Sequence, residues 1–231
     1  MSHEKCKMLL TRGVVLGHVI SQAGIEVDPV KIEVFSILAI PKSRKEVRHF
    51  LAHVVYYKRF IKNFTKIATP LFKLVTKDVD FSWDDQSLLS FETLKQNLYV
   101  ALALRGPNWS LQFHISMDAS NTTLGVVLGK KEGQFYCAIH FVSKKLTPAE
   151  LKYTVIEKES LLIVHAISKF RHYIIGYEVY VHTYHFAIRY LMNKTITNGR
   201  ITRWLLLLQE FYITIVDIPS KENLHYKENT L

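Results

Sequence analysis

Two carboxylates stand where the sequence gives an acid something to do. Leu111, Phe113, Ile115 and Met117 alternate with Gln112, His114, Ser116 and Asp118, the pattern of a half-buried strand with an acid at its end. Farther on, Ile163, Ala166, Ile167, Phe170 and Ile174 recur at helical spacing, and Glu159 lies four residues before Ile163 on the same face. A carboxylate heading a buried stripe loses hydration and needs a cation, a metal or strong donors. If the two acids converge over a sheet they suit Mg²⁺, a hard cation that prefers oxygen ligands. A plainer arrangement fits the same spacing: Glu159 favours its helix N-terminus through the macrodipole, and Asp118 ends a strand.

A second group of residues suggests phosphate chemistry. The chain carries 30 Lys and Arg against 20 Asp and Glu, a formal charge of +10. The excess gathers between Lys42 and Lys77, where ten basic residues face the single acid Glu46. Lys42, Arg44, Lys45, Arg48, Lys58, Arg59 and Lys62 are the candidate nucleic-acid contacts, with Tyr56, Tyr57, Phe60, Phe64 and Phe72 among them. Cations neutralise phosphate and rings stack on bases. The alternative is a solvated helix face whose aromatics belong to the core.

These residues need elements to hold them. Val14–Leu16 between glycines, and a turn at Gly24, suggest short strands at the start. Pro29 can begin a short helix through Phe35. Ser43 and Glu46 form a capping box for a helix with Val47, Phe50, Leu51, Val54, Val55 and Ile61 at helical spacing, and Asp84 or Asp85 can cap another with Leu88, Phe91, Leu94 and Leu98. Pro70 and residues 78–83 read as connecting segments, and Gly106-Pro107-Asn108 as a domain boundary. Residues 124–128 and 135–142 read as two more strands joined through Gly129–Gly133; Thr154 and Glu157 open a long helix that ends near Gly176. A strand at 179–183, a helix at 200–209 and a strand at 211–216 follow. Three hairpin-linked strands, then alternating helix and strand, imply a mixed sheet flanked by helices, an α/β (α+β) class.

Composition narrows the classes. With 48% hydrophobic and 22% charged residues over 231, disorder, collagen and coiled coil are excluded. No apolar run approaches 18 residues and the first ten do not read as a signal peptide, so an intracellular, non-membrane setting is expected. Cys6 and Cys137 make no disulfide framework. With eleven scattered histidines and no cysteine spacing, no zinc site is expected. Asn63-Phe64-Thr65 and Asn121-Thr122-Thr123 fit the glycosylation acceptor pattern without a secretory route to support it.

Several ordered motifs then carry a resemblance. Val15-Leu16-Gly17-His18, Gly24-Ile25-Glu26-Val27-Asp28, Arg48-His49-Phe50-Leu51-Ala52-His53 and Tyr57-Lys58-Arg59-Phe60-Ile61 resemble the end of the reverse transcriptase region in gypsy-type LTR retrotransposon Pol polyproteins. Met117-Asp118-Ala119-Ser120, Ser143-Lys144-Lys145-Leu146, Tyr153, Glu157-Lys158-Glu159, Lys169-Phe170-Arg171-His172-Tyr173, and Arg203-Trp204 through Gln209-Glu210-Phe211 resemble the ribonuclease H domain that follows it. The resemblance implies a residual palm end over 1–30, a small, mostly helical thumb and connection region over 31–108, and an RNase H-like domain with a mixed five-stranded sheet over 109–231. The aspartate pair of the polymerase would lie upstream of Met1, so RNA-directed DNA polymerase activity is not expected of this stretch.

The ribonuclease H resemblance implies four carboxylates holding two metal ions across the RNA strand of a hybrid. Asp118 and Glu159 match two of them. The family's Thr-Asp-His reads Thr183-Tyr184-His185 here, and the fourth aspartate, by a weaker alignment, falls on Lys227 after Glu222-Asn223. A neutral phenol cannot replace a bridging carboxylate, and an ammonium repels metal. Asp217 and Glu228 are the nearby acids that could substitute. The expectation is a degenerate nuclease with Mg²⁺ weak or absent, residual binding of RNA–DNA hybrid or other nucleic acid, and possible assembly with other Pol polyprotein parts. Two alternatives stay open: an active Mg²⁺-dependent endonuclease, and a non-enzymatic interaction module motivated by Trp204-Leu205-Leu206-Leu207-Leu208.

Overall fold

A computed structural model describes residues 11–77, 80–101, 103–183 and 199–217. The chain divides into two compact units, one holding residues up to 61 and 67–106, the other 62–66 and 107 onward. Among the described residues no helix is long and apolar enough to cross a membrane.

In the first unit, β1 (Arg12–Val15), β2 (His18–Ser21), β3 (Gly24–Val27) and β4 (Leu104–Arg105) form an antiparallel sheet in that order. Gly24 marks a turn as expected, closing the hairpin at residues 22–23 by pairing with Ser21, and it opens β3, where a Cβ would lie 2.0 Å from the Leu104 carbonyl oxygen. Asp28 caps α1 (Pro29–Ser36), accepting from the Val30 amide at 3.1 Å. Ser43 caps α2 (Arg44–Tyr56) through the Glu46 amide, while the Glu46 carboxylate reaches the Lys42 amide at 2.8 Å. Those backbone and hydroxyl donors hold the Glu46 carboxyl below its usual range. A single 3-10 turn (Lys58–Phe60) follows.

Pro70, expected in a connection, sits inside α3 (Phe64–Leu74). Proline removes one amide from the ladder there. Ala68, Leu71 and Leu74 are buried along the same helix, and that burial outweighs the missing bond. Asp84 caps α4 (Asp85–Tyr99), whose Phe91, Leu94 and Leu98 are buried; Phe91 lies with its ring centroid 4.7 Å from that of Phe50 on α2.

The second unit is built on a five-stranded sheet ordered β7-β6-β5-β8-β9. The strands are β5 (Phe113–Ala119), β6 (Thr123–Glu132), β7 (Phe135–Lys145), β8 (Glu178–Thr183) and β9 (Tyr212–Asp217). β5, β6 and β7 pair antiparallel, and β8 lies parallel to both β5 and β9. Gly129 was expected in the hairpin turn but belongs to β6, which runs on through a register shift at Leu128/Gly129. After α5 (Pro148–Leu151), both halves of the Thr154/Glu157 capping box are made, opening α6 (Val155–Ile174). Its Leu162, Ile163, Ala166, Ile167, Phe170 and Ile174 bury against Phe113, Ile115, Leu124, Val126, Val179 and Val181 of the sheet.

α7 (Gly199–Leu208) packs on α6, and Leu208 joins this core. Leu206 and Leu207 on the same helix are exposed. One cation is sunk in the same unit. Lys130 is 1% exposed, with its ammonium 3.6 Å from the Phe113 ring centroid and donating to the Leu111 carbonyl. Desolvation lowers its pKa to about 8.

Candidate active site and nucleic-acid interface

Asp118 lies near the end of β5, the central strand, and is exposed; Glu159 projects from the first turns of α6 and is 8% exposed. A strand end and a helix start thus present one wet and one dry carboxylate. A row of Cα partners runs outward from the aspartate, Asp118 beside Gly125 of β6 and Gly125 beside Ser143 of β7. The segment 62–66 crosses that row. Asn63, at φ 55°, donates from Nδ2 to Asp118 Oδ2 at 3.2 Å, and the Thr65 amide donates to Ser143 Oγ at 2.9 Å. Between these two anchors a glycine is required, because a Cβ on Gly125 would stand 2.3 Å from Asn63 Oδ1. Asn63 was noted in the sequence only as part of an acceptor pattern. Its contact with the aspartate had no sequence signal beyond its left-handed tolerance.

Tyr184, Lys227 and Glu228 lie outside the described residues. Thr183, which precedes Tyr184, ends β8 beside the central strand, and its Cα partner is Asp217 at the end of β9. Among the described residues no three His, Cys, Asp or Glu side chains gather in a way that could hold a metal ion. Asp118 and Glu159, with Asp118 Oδ2 accepting from Asn63, do not by themselves make the four-carboxylate arrangement.

The face of β5 opposite α6 is not uniformly wet: Asp118 is exposed and Ser116 half-buried, but His114 and His182, of β5 and β8, are only 9% and 5% exposed. His114 Nδ1 lies 2.8 Å from His182 Nε2, and the His114 ring stacks on Tyr180 and meets the edge of Tyr136. Burial pushes both imidazoles down to about 4; the neighbouring His182 and Lys131 add to this for His114, and Lys131 does for His182.

The basic candidates separate into two kinds. Arg44 and Arg48 donate to the Lys77 and Val75 carbonyls at 3.3 and 3.1 Å, just beyond the end of α3. The two guanidinium groups thus tie α2 to the segment that follows α3. Lys42, Lys45, Lys58 and Lys62 are exposed, and Arg59 is half-buried. The interleaved rings are chiefly structural: Tyr57, Phe60 and Phe64 are buried, whereas Tyr56 and Phe72 are exposed. The Tyr56 hydroxyl donates to the Leu16 carbonyl.

Three antiparallel strands, a capped helix across them, and two parallel strands beyond make this an RNase H-like α/β fold. Residues 108–211 match the family described as the RNase H-like domain found in reverse transcriptase. Residues 108–211 therefore carry an RNase H-like domain, and over nearly its whole length the chain is similar to Pol polyproteins of transposons. It is 34% identical over 221 residues to the retrovirus-related Pol polyprotein from transposon 297 of Drosophila melanogaster, covering 95% of this chain and 20% of that protein. The transposon Tf2-3 polyprotein of Schizosaccharomyces pombe is 29% identical over 228 residues, 96% of this chain and 17% of that protein. The chain thus spans about a fifth of the curated relatives it matches. In fold it is similar to the foamy viral protease-reverse transcriptase solved with an RNA/DNA hybrid, with a TM-score of 0.78, 22% identity, and coverage of 99% of this chain and 32% of that one.

Proposed function

We propose that this chain binds RNA–DNA hybrid, or another nucleic acid, through exposed lysines and does not cleave it. The observation that carries the reading is Tyr184 in the Thr183-Tyr184-His185 sequence, where the family has an aspartate. A phenol carries no charge at neutral pH and offers one oxygen. At ~4 Å and an effective dielectric of about 20, each lost unit charge removes roughly 4 kcal/mol of attraction per unit of metal charge. Lys227 at the weaker alignment adds repulsion. Asp118 and Glu159 are then retained family carboxylates without a productive Mg²⁺ pair. Lys42, Lys45, Lys58 and Lys62 supply phosphate contacts, supported by their exposure and by a fold neighbour solved with a hybrid. Arg44 and Arg48 serve chiefly to hold the segment that follows α3. The first 30 residues act as the end of a palm, residues 31–108 as thumb and connection, and 109–231 as the RNase H-like domain, working beside other parts of a Pol polyprotein.

The test is a labelled RNA–DNA hybrid incubated with the chain in Mg²⁺ and in Mn²⁺, with binding followed separately at rising salt. Binding should weaken log-linearly with salt while the RNA strand stays intact. Cleavage that disappears in Asp118→Asn overturns the non-cleaving reading in favour of an active endonuclease. A hybrid that is not bound at any salt overturns the binding half and leaves the exposed leucines of α7 as the surface to explain.

A further inference from the structure

The surface of α2 carries a pair of side chains that the hybrid-binding reading does not use. His49 and His53 are four residues apart on one helix, so one lies a turn above the other. Both are exposed, their ring centroids are 4.5 Å apart, and their Nε2 atoms are 2.9 Å apart. Phe35, from α1, meets the His53 ring in a T-shaped contact with centroids 6.3 Å apart.

That nitrogen separation has a chemical meaning. Two metal–imidazole bonds of about 2.0–2.1 Å that meet at 90–110° place their nitrogens roughly 2.9–3.4 Å apart. One shared proton would give a similar distance, so the pair is already spaced for either occupant. Imidazole suits zinc, copper and nickel, and two histidines one turn apart can grip an ion from one face of a helix. We infer that His49 and His53 form a two-histidine site for a divalent ion of the zinc, copper and nickel class, with water completing the coordination. Among the described residues no third His, Cys, Asp or Glu joins them, so the site is open and modest in affinity. Partial burial, His49 and the nearby Lys31 ammonium keep the His53 pKa below its ordinary value. The same Lys31 ammonium also repels an arriving cation.

The inference departs from the sequence expectation of no zinc site, which rests on the scatter of the histidines along the chain. It is independent of the nuclease question, since α2 holds none of the family carboxylates. The experiment titrates Cu²⁺, and separately Zn²⁺, into the full chain and into His49→Ala, His53→Ala and the double variant, by calorimetry and by nitrogen hyperfine structure in the Cu²⁺ spectrum. Wild type should bind one equivalent more tightly than the double variant, by about tenfold or more. Either single substitution should lose the same step, because half a chelate is not half a site. The step should also weaken on acidification, because protons compete with the ion for imidazole nitrogen. Circular dichroism checks that the exposed substitutions leave α2 folded. Equal titrations in wild type and double variant overturn the site, as does a loss confined to one of the two single variants.

Discussion

Two pairs of imidazoles in this molecule have nearly the same contact and opposite chemistry. His49 and His53 approach to 2.9 Å on the exposed face of α2; His114 and His182 approach to 2.8 Å between the central strand and its parallel neighbour. The first pair stands in water, free to exchange a proton for an ion. The second is walled by Tyr136 and Tyr180, and burial holds both rings near a pKa of 4. Distance between donor atoms therefore does not define a site. The medium around them decides whether they titrate, bind or merely pack.

The largest test of that difference is acid. His114 and His182, with His165 on α6, are depressed to about 4 chiefly by desolvation; Lys144 and Lys169 add to the effect at His165, and Glu150 opposes it. The unfolded chain, with its imidazoles near 6.5, binds more protons below that pH than the folded one does. These groups consequently stabilise the fold above about pH 6.5, and their contribution is lost as pH falls through about 4. A shift from 6.5 to about 4 corresponds to roughly 3 kcal/mol for one independent imidazole, less apiece for a coupled pair. Urea unfolding from pH 7.5 to 4.5 should show a loss of several kcal/mol. A flat profile would mean that water reaches the buried pair.

Breaking the buried pair at neutral pH should have the next largest effect. Among the described residues His182 Nδ1 has no hydrogen-bond partner. The tautomer that avoids a buried bare N–H puts the proton on Nε2, donating to His114 Nδ1. His182→Ala then orphans a buried acceptor and opens a void, a loss of about 2–4 kcal/mol. Replacing both rings, as His114→Leu with His182→Leu, removes the orphan with its cause and should recover part of the loss. The double variant should also flatten the acid limb. A double variant that is worse than the sum of its singles would mean that the rings are held for something other than each other.

Much of this frame was legible before any coordinates. Ser43, Asp84 and Thr154 cap the helices their positions suggested, because a side-chain oxygen before an apolar stripe is a local device. The strand pattern from 111 to 142 gave the sheet for the same reason. What local pattern could not give was the environment of each strand's second face. His114 and Ser116 alternate with apolar residues as a solvent face would, yet β5 is central and His114 is covered. Asn63 reaches Asp118 across 55 positions of sequence, and only the gap at Gly125 marks its path. Arg44 and Arg48 look like phosphate contacts in one dimension, while in three they donate to backbone carbonyls of the segment after α3. Of the candidate carboxylates, Asp118 and Glu159 were readable from periodicity, but the difference in their wetting was not.

The exposed pair supplies the smallest effect, and its smallness is informative. In metal-free buffer at pH 7.5, His49→Ala and His53→Ala should each change unfolding free energy by no more than about 0.5 kcal/mol, the range of surface substitutions. Their nitrogens lose a shared proton and regain water, so little is orphaned. Adding Zn²⁺ should separate wild type from the variants, because an ion bound only by the folded helix raises stability by mass action. If His53→Ala instead costs as much as His182→Ala, the Phe35 contact makes His53 part of the core. The similarity in distance between the two pairs would then reflect a similarity in role.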